Sequence, residues 1–88
     1  MQVIWKQKLE CAEKQTVELP KGAKVLCVQA QNDEPCIWFL VSDPGNGMET
    51  RTFAIHGTGH QRDVISGQYV GTFQLHAGTL VFHLFEEE

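Results

Sequence analysis

No stretch of this sequence is apolar for long enough to cross a bilayer as a helix. The longest run, Cys36-Ile37-Trp38-Phe39-Leu40-Val41, falls far short of the roughly 20 residues a membrane helix needs, so no membrane association is expected. No window of about 11 residues keeps a helical period either, which removes amphipathic helices and coiled coils. Cysteine is scarce and odd in number. Cys11, Cys27 and Cys36 form no C-x-x-C pair, which argues against a disulfide framework and against a zinc knuckle. Basic residues are few: seven Lys and Arg stand against eleven Asp and Glu, for a formal net charge of −4. With no basic stripe, phosphate-dominated binding to nucleic acid is disfavoured. An acidic mimic of DNA is disfavoured as well, because the excess charge collects in Glu86, Glu87 and Glu88, read as a short acidic C-terminal tail that solubilises the end of the chain. Met1 to Lys6 show no basic segment leading into an apolar one, so the expected compartment is the cytoplasm.

What is present is a globular balance, 42% hydrophobic and 20% charged over 88 residues, enough for a single β domain spanning 1–88. Residues 2–9 and 15–19 read as strands. The second alternates, with Val17 and Leu19 on one face and Thr16 and Glu18 on the other, before Pro20-Lys21-Gly22 turns the chain. The intervening 10–14 is a short connection with room for one helical turn. Residues 24–31 place Leu26, Val28 and Ala30 on one face and Val25, Cys27 and Gln29 on the other. A four-residue loop, Asn32-Asp33-Glu34-Pro35, would then set Gln31 opposite Cys36 and Cys27 opposite Leu40. Residues 36–41 are apolar on both faces, the mark of a strand covered on both sides, and are the expected centre of the core.

Ser42 to Gly47 is turn chemistry throughout. Residues 49–56 alternate again, and 57–67 form the longest irregular stretch, with three glycines. Long loops on small scaffolds are where function tends to sit. Residues 68–75 and 79–85 flank a three-residue hairpin, His76-Ala77-Gly78. Pairing Leu75 with Thr79 sets Phe73 opposite Val81, Gly71 opposite His83 and Tyr69 opposite Phe85, and leaves both faces substantially apolar. The fold expected is all-β, a small antiparallel β-sandwich or partly open barrel of about six or seven strands.

Val3-Ile4-Trp5-Lys6, Leu19 to Leu26, Arg51 to His60, Tyr69 to Leu75 and Leu80 to Phe85 together resemble a family of small, functionally uncharacterised β-rich proteins encoded in phage and prophage genomes. The resemblance covers most of the chain and carries over no catalytic residue. It implies a gene expressed in an infected bacterium, where small accessory proteins bind and redirect or inhibit host proteins.

Candidate chemistry is thin. His56, His60, His76 and His83 do not read as three or four converging ligands, so no metal site and no cofactor are expected. His60, Arg62 and Asp63 suggest an acid–base cluster, but a loop braced by an Arg62–Asp63 or Arg–backbone contact is the plainer account. Gly57-Thr58-Gly59 lacks the lysine and spacing of a phosphate loop. The chain is expected not to be an enzyme. The expected activity is stoichiometric binding to a host or phage protein, with inhibition of a host defence component as its most concrete form, in the cytoplasm of the bacterial host. The alternative is a virion structural or assembly protein that forms a homodimer through its C-terminal hairpin. The expected binding residues are His60, Arg62, Tyr69, Val81, His83 and Phe85. Because the count is odd, the expected compartment is the cytoplasm and Cys27 and Cys36 do not oppose one another in the expected register, all three thiols should titrate in an unreduced denatured sample, Cys11 reacting first under native conditions; fewer than three would overturn this.

Overall fold

The computed structural model describes residues 1–88. Seven strands run in order: β1 (Val3–Lys8), β2 (Lys14–Pro20), β3 (Lys24–Gln31), β4 (Glu34–Val41), β5 (Met48–Gly57), β6 (Gln68–Leu75) and β7 (Leu80–Glu87). They form two antiparallel sheets, β1-β4-β3 and β2-β5-β7-β6, stacked as a sandwich. No helix is long and apolar enough to cross a membrane. Of residues 10–14, where a helical turn had room, 10–13 are irregular with bends at Cys11 and Glu13, and Lys14 already begins β2.

The doubly apolar run lies where its composition places it, at the centre of the three-stranded sheet. Ile37, Phe39 and Val41 point inward and are fully covered, while Trp38 and Leu40 on the outer side are half-buried. Facing them from the other sheet are Phe53, Ile55, Phe73, Leu75 and Leu84, with Leu9 and Leu19 completing the core.

Two hairpins differ from the sequence reading, for related reasons. The β3–β4 turn has only two residues, since Gln31 pairs with Glu34 and Ala30 with Pro35. Asn32 and Asp33 both take positive φ (52° and 62°), which their short polar side chains tolerate. Cys36 therefore faces Gln29, and Cys27 faces Trp38, so the thiols remain apart and free. A bulge between Val25 and Cys27 breaks the alternation, putting half-buried Val25 against the core while Leu26 stays exposed. In the β6–β7 hairpin the loop is four residues, His76 to Thr79, because Leu75 pairs with Leu80. Phe73 then faces Phe82 rather than Val81 and His83 faces Thr72 instead of Gly71, while a bulge between Tyr69 and Gly71 takes up the slip and leaves Tyr69 opposite Phe85. That one-residue slip gathers Phe73, Leu75, Phe82 and Leu84 on the inner face and relieves the second apolar face that the shorter loop implied.

Glu86 and Glu87 are not a free tail: they are the last residues of β7. Glu86 forms a two-pronged ion pair with Arg51, whose Nη2 lies 3.1 Å from Glu86 Oε1. The same guanidinium donates to the Ala23 carbonyl at 2.9 Å and to Glu49 at 3.2 Å. The hydrogen bond to Glu86 holds Arg51 above its ordinary pKa. A cation held higher in the folded state contributes its stability below its ordinary value and loses it only as pH rises further, so the fork persists across the working range. At the opposite end of the molecule the amide of His76 donates to Asp33 at 2.7 Å, tying the tips of the two hairpins.

Phe39 is 3% exposed in the central strand. Phe39→Ala should lower stability by about 3–5 kcal/mol, a large part of what a domain of this size possesses, as read by urea denaturation. A variant with the parent's midpoint would show that β4 is peripheral to the core.

Candidate functional site

Alternation on β7 sends Val81, His83 and Phe85 to the outer face of the four-stranded sheet, and the register brings Thr72 opposite His83 and Tyr69 opposite Phe85. On the other side β5 places His56 opposite His83 and Ala54 opposite Phe85. Four of the six residues expected to bind, Tyr69, Val81, His83 and Phe85, thus share one surface. Phe85 sits between two rings edge-on, Tyr69 at 5.5 Å and His56 at 5.8 Å, an arrangement that the ring quadrupoles favour.

A line of side-chain hydrogen bonds crosses this surface. The Tyr69 hydroxyl lies 2.6 Å from Thr72 Oγ1, Thr72 Oγ1 is 2.9 Å from His83 Nδ1, and His83 Nε2 is 2.7 Å from Thr58 Oγ1. Thr58 in turn donates to the Val81 carbonyl at 3.3 Å. With His83 neutral and its proton on Nε2, each hydroxyl donates to the next acceptor and the line is satisfied from Tyr69 to Val81. The line fixes the Tyr69 phenol and the His83 ring on an open face.

The loop 58–67 flanks this surface. Its return to β6 depends on Gly67, whose φ is +93° and where a methyl group would lie 2.3 Å from the Glu86 carbonyl oxygen. Arg62 is held by Glu13 at 3.0 Å and by the Gln61 carbonyl at 2.9 Å. The brace is therefore an Arg–backbone contact together with a carboxylate from the β1–β2 connection, and Asp63 is not the partner. His60 stands apart from Tyr69 and Phe85: its amide donates to Gly57 at 3.2 Å, and it lines a shallow cleft with Thr58, Leu80, Val81 and Phe82. No three of the His, Cys, Asp and Glu side chains come together with the geometry of a metal site. His76, at the hairpin tip, faces Asp33.

The sequence reading weighed His56 only as a metal ligand and missed its burial. It is 8% exposed, it lines a cleft of about 380 Å³ with Glu13, Lys14, Arg62, Val64 and Glu87, and neither ring nitrogen has a hydrogen-bond partner. Its place on a strand with Phe53 and Ile55 marks it as central, but the side chains around it include Phe85 of β7 and Arg62 and Val64 of the 58–67 loop, and no sequence signal announces that. Val64 and Ile65 were also missed: they leave large apolar side chains exposed on the same loop.

The chain belongs to the family described as Domain of unknown function (DUF7352), which matches residues 1–88. No curated protein and no solved structure matches it.

An unpartnered buried polar group costs about 1–3 kcal/mol. His56→Phe keeps a ring against Phe85 and removes both orphaned nitrogens, so it should raise the unfolding midpoint, with a gain on the order of 1 kcal/mol after allowance for the larger ring. A lower midpoint would show that the imidazole is partnered in solution.

Proposed function

We propose that this member of the family works by stoichiometric protein binding, through the outer face of β6 and β7 and the adjoining 58–67 loop. The context is that of a phage accessory protein acting in the cytoplasm of the bacterial host, with inhibition of a host defence component as its most concrete form. The observation that carries the binding reading is Tyr69: 55% exposed, it is held edge-on by Phe85 and through its hydroxyl by Thr72. Pre-fixed aromatics amid hydroxyls and imidazoles are typical anchors of protein interfaces, because little side-chain entropy remains to be lost on binding. Exposed Val64 and Ile65 extend the apolar area, and Arg62 supplies charge at its edge. The phage context is supported by the sequence resemblance alone.

A virion structural or assembly role is the second reading. Half-buried Val81 and Phe85 beside Tyr69 favour it, since a two-fold homodimer through this face would cover all three.

Capture on immobilised protein from a bacterial host lysate, quantified by mass spectrometry alongside a light-scattering mass, separates the readings. One host protein retained in stoichiometric amount by the parent and lost by Tyr69→Ala is the expected result. Virion proteins, or a dimer abolished by Tyr69→Ala, would select the second reading. A partner retained equally by Tyr69→Ala and Arg62→Ala would place the surface elsewhere.

A further inference from the structure

The two open sides of the sandwich are unlike. On one, β3 and β6 run close together: a methyl group on Gly71 would lie 2.9 Å from Val28 Cγ1. Both of these edges carry bulges, between Val25 and Cys27 and between Tyr69 and Gly71, and a bulged edge does not offer a regular ladder to a further strand. On the other side, β1 pairs only with β4 and β2 only with β5, each in unbroken register along its full length, and no ladder joins β1 to β2. A three-stranded sheet thus faces a four-stranded one, and the missing strand belongs beside β1.

The side chains around that vacancy are oriented for a core without being covered. Val3, Trp5 and Gln7 share the inner face with Val41, Phe39 and Ile37, yet Trp5 is 42% exposed. Across the gap, Val17 on the inner side of β2 is only half-buried. An edge strand also leaves about half of its backbone donors and acceptors without a ladder partner.

We propose that the free edge of β1 accepts an extended segment of a partner protein as a fourth strand of the smaller sheet, with apolar side chains facing Trp5 and Val17 and a carboxylate beside Lys6. Charge chooses this occupant. Ile4, Lys6 and Lys8 form the outer face of β1. Lys8 is paired with Glu34 at 2.8 Å, whereas Lys6 meets only the neutral amide of Gln31. Antiparallel addition of a second copy would bring its Lys6 and Lys8 against these two, which like-charge repulsion disfavours. An acidic strand supplies the counter-ion. β2 is the poorer acceptor because Lys14 is already paired with Glu87, Glu18 accepts from Thr50, and Pro20 has no amide to donate. This edge lies apart from the Tyr69 surface, so the two proposals stand or fall separately.

The test uses the intact chain and two end-blocked peptides, one alternating valine with glutamate and one alternating valine with lysine. The expected result is saturable binding of the acidic peptide, slowed amide exchange confined to β1, and a blue shift of Trp5 emission in the single-tryptophan variant Trp38→Phe. Lys6→Glu should weaken that binding by about five- to tenfold, more than a single surface pair would, because attraction becomes repulsion. Amide exchange on the parent protein serves if Trp38→Phe does not fold. Absence of binding at millimolar peptide, equal binding of the basic peptide, or protection on β3 or β6 would each overturn the proposal.

Discussion

The Arg51 guanidinium is the point on which the arrangement of the two sheets turns. It projects inward from β5 at the level where the core gives out, takes both oxygens of Glu86 on β7 and Oε2 of Glu49 on its own strand, and donates to the Ala23 carbonyl in the turn that begins β3. Glu49 also accepts from the Gly22 amide at 3.0 Å. One planar cation thereby fixes how the larger sheet sits against the chain entering the smaller one. A fork of this kind has directional demands that apolar packing lacks. Its net energy is modest because desolvation offsets much of the attraction, and its chief contribution is geometric. A cleft of about 400 Å³ opens over the ion pair between the bulges of β3 and β6.

The strands were legible because each carries its own signal. β4 is apolar on both faces and proved central, β2 alternates, and the turn at Ser42 to Gly47 has no competing reading. Register was not legible, because it depends on where a turn begins and on which residue a bulge expels. The β6–β7 hairpin shows the margin. A four-residue loop sets Phe73 against Phe82 and Leu75 against Leu80, a three-residue loop sets them against Val81 and Thr79, and only the first yields one apolar face. Balancing the apolar residues between faces would have selected it. The tail failed for a different reason: three glutamates in a row look solvated until a half-buried arginine far away in sequence is found beside the first of them.

The placement of the candidate binding residues was half legible for the same reason. Tyr69, Val81, His83 and Phe85 follow from period-two alternation on paired strands, and the bulge happens to leave Tyr69 opposite Phe85. His60 and Arg62 were placed with them by nearness in sequence, which says little about a loop. Arg62 turns to Glu13, and His60 turns to the end of β5. The burial of His56 was not legible because burial on the outer face of a sheet is decided by what crosses over it.

The two tight turns also set an order of assembly. β3 and β4 close over two residues and β6 and β7 over four, whereas joining β1 to β4 or β2 to β5 encloses more than an entire intervening strand. Loop closure costs entropy that grows with the length enclosed, so the two hairpins are the least expensive units to form. They meet directly through the Gly71–Val28 approach and the Asp33–His76 tie. The nucleus this favours is a four-strand body onto which β5, β2 and β1 are laid from the outside. The N-terminal strand then completes the sheet last and, being held along one side only, is the first that thermal motion can peel away.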